Sequence, residues 1–168
     1  TTLRTPEIPD YPGALNGLQL QNQSGEVVRI IAAVDACRPV IEAAAALPGP
    51  GLLLVHHGMF WSGAQKITGS IHARLRAAIL ADLAISSAHI PLDVHPEFGN
   101  NALLVQALGC SGAEPWFDWK GIKLGQRVEG LGRARRGAGR GPGRAAQGVQ
   151  VREGDRLARE VGVLLRRL

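Results

Sequence analysis

Residues 52–63 read LLLVHHGMFWSG. The apolar run is too short for a helix. PGPG stands before it and Gly58 soon after, so 52–55 reads as a buried strand. The run ends on two adjacent histidines. Inside a strand, neighbouring side chains point to opposite faces. His56 and His57 can therefore serve one small site only where the backbone leaves the extended form. The sequence places them just past the strand end, with Gly58 helping the turn.

Outward from this stretch, buried strands alternate with helices. EVVRIIAAVDAC is apolar and β-branched and predicts a strand at about 27–34, with Asp35 directly after it. RPVIEAAAAL predicts a short helix with Pro39 in its first turn. FWSGAQKITGS is a loop. IHARLRAAILADLA has helical spacing, with Leu75, Ile79 and Leu83 on one stripe. AISSAHI is the third strand. HPEFGNNALLVQALG turns through Gly99 and Asn100 into a helix closed by Gly109. The opening TTLRTPEIPDYPGALNG is Pro-rich and reads as an irregular lead-in. The order β-α-β-α-β-α predicts an α/β fold, a parallel sheet with right-handed crossovers. Sites in such sheets form beyond the carboxyl ends of the strands. Asp35 follows strand one, His56 and His57 follow strand two, and His89 and Asp93 follow strand three.

The chain has 168 residues, enough for one domain with a core. Its net charge of +5 is unevenly spread. Residues 130–168 hold ten arginines against Glu153, Asp155 and Glu160, a net of +7, and the rest of the chain is mildly acidic. No apolar run approaches the ~18 residues of a membrane helix, and no signal peptide is visible. The two cysteines, Cys37 and Cys110, have no metal-motif or disulfide-framework spacing, so reduced thiols and a cytoplasmic location are expected. The chain begins with Thr, which points to a processed or incomplete start.

Two rings aimed at neighbouring points suit two metal ions ~3.5–4 Å apart, one ring to each. The carboxylate of Asp93, brought in by HIPLD with Pro91 stiffening the approach, suits the same place. Taken singly, His89 reads as a hydrogen-bonded support, His72 and His95 as surface residues, and Phe60 and Trp61 as packing under a loop. Mixed His and carboxylate ligands admit Zn, Fe, Mn, Co or Ni.

NGLQLQ (16–21), VDA (34–36), LLLVHHGMFWSG (52–63) and SAHIPLDVHPEFGNNALLVQALG (87–109) together resemble the Nif-three-like dinuclear metal-centre family, also called GTP cyclohydrolase 1 type 2 homologues. The likeness covers about residues 8–130. It implies an α/β fold, a toroidal homohexamer and two divalent metal ions per subunit, with metal-dependent hydrolase chemistry on an unsettled substrate. His56 and His57 match the family's paired ligands and Asp93 matches its aspartate ligand. His89 matches a non-ligand histidine beside the centre, here assigned the catalytic role of relaying a proton or orienting a bound phosphate.

In the family a later His, followed four residues on by a Glu, completes the site. This chain has no His after His95. An incomplete centre with fewer than two ions is therefore expected. The chain accordingly divides into residues 1–129, the first part of a metal-binding domain, and residues 130–168, a Gly/Arg-rich tail. Seventeen of the 22 residues at 130–151 are Gly, Arg, Ala or Pro. Such text arises from off-frame translation of a GC-rich gene, and it predicts a disordered segment. The last stretch, REGDRLAREVGVLLRRL, has the pattern of a basic amphipathic helix. The alternative function is a basic-tailed adaptor that binds nucleic acid nonspecifically through phosphates and uses the domain as a scaffold.

Overall fold

The structure is a computed structural model and describes residues 2–129 and 160–162. Backbone proximity divides the chain into two units, Thr1–Leu92 and Asp93–Leu168.

In the first unit, a four-stranded sheet runs in the order β1-β4-β3-β2. The strands are β1 (Gly17–Leu20), β2 (Arg29–Asp35), β3 (Gly51–His57) and β4 (Leu83–Ser87). β2, β3 and β4 are parallel, as the alternating pattern predicts, and Ile31 stands opposite Leu53, which stands opposite Ile85. β1 lies antiparallel to β4 with an irregularity between Leu18 and Leu20. The Pro-rich lead-in therefore ends in an edge strand, preceded by a 3-10 turn at Pro12–Ala14. The GLQL strand is only four residues long, too short to show a period.

Helices α1 (Arg38–Ala45) and α2 (Gly69–Leu80) link the parallel strands. Pro39 sits in the first turn of α1 as expected. The stripe of α2 is corrected: Ile71 and Ala78 are buried, Ile79 is exposed, and Leu83 belongs to β4. Asp82, at φ +52°, breaks the period between helix and strand. Ile41, Ala44, Leu53, Val55, Ala78, Leu83 and Ile85 form the core. β4 ends at Ser87, earlier than AISSAHI suggests, and Ile90–Asp93 makes one helical turn, α3.

The second unit holds α4 (Asn100–Ala107), capped by Gly99 and followed by Gly109 at φ +66°, the left-handed stop the sequence predicts. Beyond it the sequence reading has no further strand, yet a second sheet forms from β5 (Glu114–Trp119), β6 (Ile122–Glu129) and β7 (Glu160–Gly162). Lys120 and Gly121, both at positive φ, make the two-residue hairpin turn between β5 and β6. Asn101 Nδ2 donates to Leu124 O at 2.7 Å and ties α4 to β6. Within the stretch expected to be an amphipathic helix, residues 160–162 are instead a strand paired antiparallel to β6. The expectations for 130–151 lie outside the described residues. Among the described residues, no helix is long and apolar enough to cross a membrane.

Candidate metal centre

His56 and His57 are the last two residues of β3, and His57 is still in register with Asp35 at the end of β2. The expected turn between strand and histidines is thus absent. Alternation does not separate the rings because they stand at the final rung and reach sideways to different neighbours. His56 Nδ1–H donates to Ala88 O, beyond β4, at 3.0 Å. His57 Nδ1–H donates to Asp35 Oδ1 at 2.6 Å.

His89, two residues past β4, completes a group of three imidazoles. Ring centroids are 4.6 Å apart for His56–His57, 4.8 Å for His56–His89 and 5.5 Å for His57–His89. One ligand atom from each ring lies within 4.8 Å of the other two. His89 Nδ1–H donates to Asp10 Oδ1 at 2.8 Å, and the two side chains are only 10% and 9% exposed. Asp10 also accepts from Asn16 Nδ2 at 2.7 Å and from the backbone N–H of Tyr11 at 2.7 Å and Ile90 at 3.0 Å. Burial pushes this carboxyl up, but the hydrogen bonds from His89, Asn16 and the Tyr11 backbone outweigh it and hold Asp10 below the usual carboxylate range. Asn16 Oδ1 in turn accepts the backbone N–H of His89 at 2.7 Å. The lead-in is thereby stitched to the segment that carries His89.

The loop after the histidines is held by Gln19 of β1. Its Oε1 accepts the Met59 N–H at 2.8 Å, and its Nε2 donates to Ala14 O and Leu15 O at 3.0 and 3.1 Å. A Cβ at position 58 would overlap the Gln19 amide, so glycine is required there by close approach. Trp61 sets its edge against His89 at 4.6 Å and His57 at 5.9 Å, and the Tyr11 ring stands 6.3 Å from His89. Trp61 also lines a cleft of about 610 Å³ with Pro12, Gly13, Leu15 and Phe60.

Asp93 ends α3 in the second unit, where it is buried and accepts from Asn100 Nδ2 at 2.8 Å. His95 stacks on Phe98 at 3.4 Å, and His72 is exposed on α2. Among the predicted site residues, the structure gathers His56, His57 and His89. Asp10, Asn16 and Gln19 were missed, since isolated polar residues in a Pro-rich lead-in carry no periodic signal.

A sequence profile described as Duf34/NIF3 (NGG1p interacting factor 3) matches residues 12–159, further than the expected end near 130. A GTP cyclohydrolase 1 type 2 homolog of Deinococcus radiodurans is 49% identical over 119 residues, covering 70% of this chain and 44% of that protein. Its namesake in Pyrococcus abyssi is 44% identical over 119 residues, covering 70% of this chain and 47% of that protein. The solved structure of TTHA1606 from Thermus thermophilus superposes with a TM-score of 0.65 at 35% identity, covering 76% of this chain and 50% of that one. The chain thus spans about half the length of the relatives it matches. The profile, the identities and the shared fold agree with the paired histidine and aspartate motifs: the chain belongs to the Duf34/NIF3 family.

Proposed function

We propose that the chain binds divalent metal at the carboxyl edge of the parallel sheet and supports hydrolase-like chemistry there. The observation that carries this reading is the convergence of three imidazoles from two strand ends. Imidazole donors suit Zn, Fe, Co or Ni, and this donor set fits such an ion. His56 and His57 are the ligands, and Asp93 joins them on the strength of its motif. A divalent ion in such a setting lowers the pKa of bound water and polarises a substrate bond. Asp35 orients His57, while Trp61 and Tyr11 stand beside the imidazoles. The cleft beside Trp61 offers a place for the apolar part of a substrate. The late His and Glu of the family motif have no counterpart here, so the centre is proposed to hold fewer than two tightly bound ions. A homo-oligomer, hexameric as the resemblance implies, and nonspecific nucleic-acid binding through residues 130–168 belong to the same set of proposals.

Metal analysis of the purified chain tests the reading. The unsubstituted protein is expected to carry about one equivalent of a divalent transition metal, and His56→Ala and Asp93→Ala to lose most of it. Equal trace metal in all three forms would sink it.

A further inference from the structure

We propose that the β5–β6 hairpin is a docking surface for single-stranded nucleic acid, with Trp116 and Phe117 stacking on its bases and the arginines of residues 130–159 holding its phosphates. This role rests on the nucleic-acid reading of residues 130–168 proposed above. It supplies what that segment lacks, since residues 130–168 contain no Phe, Trp or Tyr.

Neighbouring side chains of a strand normally stand on opposite faces. Trp116 and Phe117 do not. Phe117 has φ +66°, a left-handed backbone that a bulky residue rarely adopts. Its ring stands beside that of Trp116, with centroids 5.9 Å apart and planes inclined by 42°. Both residues are 38% exposed. Backbone strain of this kind gathers at ligand-binding positions, and here it sets two exposed rings side by side. The register leaves Trp116 open as well. It lies opposite Gly125, which has no side chain to cover it. The next pairs on that face are Glu114 with Arg127 and Asp118 with Lys123. Their charged groups meet at 3.4 and 2.6 Å. Two acids and two bases cancel, so the face around Trp116 does not repel a polyanion. Stacking of bases on aromatic rings needs no net charge and tolerates any base.

The positive charge comes from the chain that follows. Glu129, the last residue of β6, is the cross-strand partner of Glu160, the first residue of β7. Residues 130–159 therefore leave and re-enter the sheet that carries the hairpin. They hold eight arginines against Glu153 and Asp155, a net of +6. A phosphate chain drawn to these arginines is kept close to the two rings, and each contact raises the effective concentration of the other. A duplex offers phosphates, but its bases are stacked on one another. An unpaired strand offers phosphates and free base faces together.

Fluorescence anisotropy of a labelled oligothymidylate of about twelve residues, titrated with the full chain, tests the surface. The strand is expected to bind at least ~10-fold more tightly than an abasic strand of the same length, and more tightly than a duplex of that length. Trp116→Ala and Phe117→Gly, the second suited to the left-handed backbone, are each expected to weaken binding roughly 5- to 100-fold. The salt dependence of the affinity is expected to stay that of the parent, because neither substitution removes a cation. Quenching of tryptophan emission in the unsubstituted chain by the oligothymidylate, and not by the abasic strand, gives the same answer without relying on a variant. Equal affinity for the two strands, tighter binding of the duplex, or unchanged binding in the folded variants overturns the proposal and leaves the charge-driven reading of residues 130–168 standing. Absence of binding to every strand overturns both.

Discussion

At the scale of single residues, the legible part of the site was the part with a motif. His56, His57 and His89 stand beside recognisable strand ends, so topology alone brings them to one edge. Their supports were not legible, because Asp10, Asn16 and Gln19 act through contacts 40 to 79 residues away in sequence. Gly58 shows how such a contact is stored in an ordinary residue. Its missing side chain is the space occupied by the Gln19 amide, which makes three hydrogen bonds to Ala14, Leu15 and Met59. Gly58→Ala is expected to displace that amide and cost about 1.5–4.5 kcal/mol, at ~0.5–1.5 kcal/mol for each of the three hydrogen bonds. Gln19→Ala removes the same bonds and is expected to cost a similar amount. In the double variant the methyl group enters space the amide has vacated, so the two costs do not add. Urea denaturation of all four forms gives the coupling, expected at roughly 1–2 kcal/mol. Strict additivity would mean that Gln19 does not fill that space.

At the scale of elements, the parallel strands and their helices follow from period and punctuation, and the departures have local physical causes. The apolar pattern of α2 runs on through Leu83, so the sequence alone gives no break there. The break is conformational: Asp82 turns left-handed at φ +52°, and its Oδ1 accepts the N–H of Gln23 at 2.6 Å and of Ser24 at 3.1 Å. One side chain thus ties the α2–β4 turn to the connection between β1 and β2. Hydrogen bonding to Ser24, with a smaller contribution from Gln23, lowers the Asp82 pKa against a small opposing effect of burial. A carboxyl whose folded pKa lies below its unfolded value stabilises the fold above the unfolded value, and this contribution is lost as pH falls through the folded one. Asp82→Asn keeps a residue that tolerates the left-handed backbone. It is expected to be less stable than the parent at neutral pH and to converge with it as pH drops below about 4. Urea midpoints across that range check the sign, and a gap independent of pH would contradict it. The β5–β6 hairpin went unread for another reason. Its Lys120–Gly121 turn lacks the Asn-Gly or Asp-Gly signature, and β5 is exposed along most of its length, so no alternation marks it.

At the scale of the molecule, the first unit's sheet is covered on one face by α1 and α2, while its other face carries exposed apolar side chains. Leu18, Ile30 and Val34 are 63%, 67% and 62% exposed, and Leu54 is 40% exposed. The register sets Leu18, Ser86, Leu54 and Ala32 in one row across all four strands. A run such as LLLV suggests burial on both faces, as parallel strands usually have. Sequence therefore does not distinguish Leu53, fully buried against the helices, from Leu54, its neighbour on the open face. A face this apolar is what a sheet shows when, among the described residues, only one of its two faces carries a helical layer. The two leucines should then respond in opposite ways. Leu53→Ala leaves a cavity in the core and is expected to cost about 2–5 kcal/mol in urea denaturation. Leu54→Lys keeps its aliphatic stem on the open face with the ammonium in water, and its stability is expected to stay within about 1 kcal/mol of the parent. Combined with Ile30→Lys, it is expected to reduce sharply the native-state fluorescence of a hydrophobic dye such as ANS, because the pair removes the centre of the patch. A large stability loss in Leu54→Lys, or a parent chain that leaves the dye dark, would mean that this face is covered in solution.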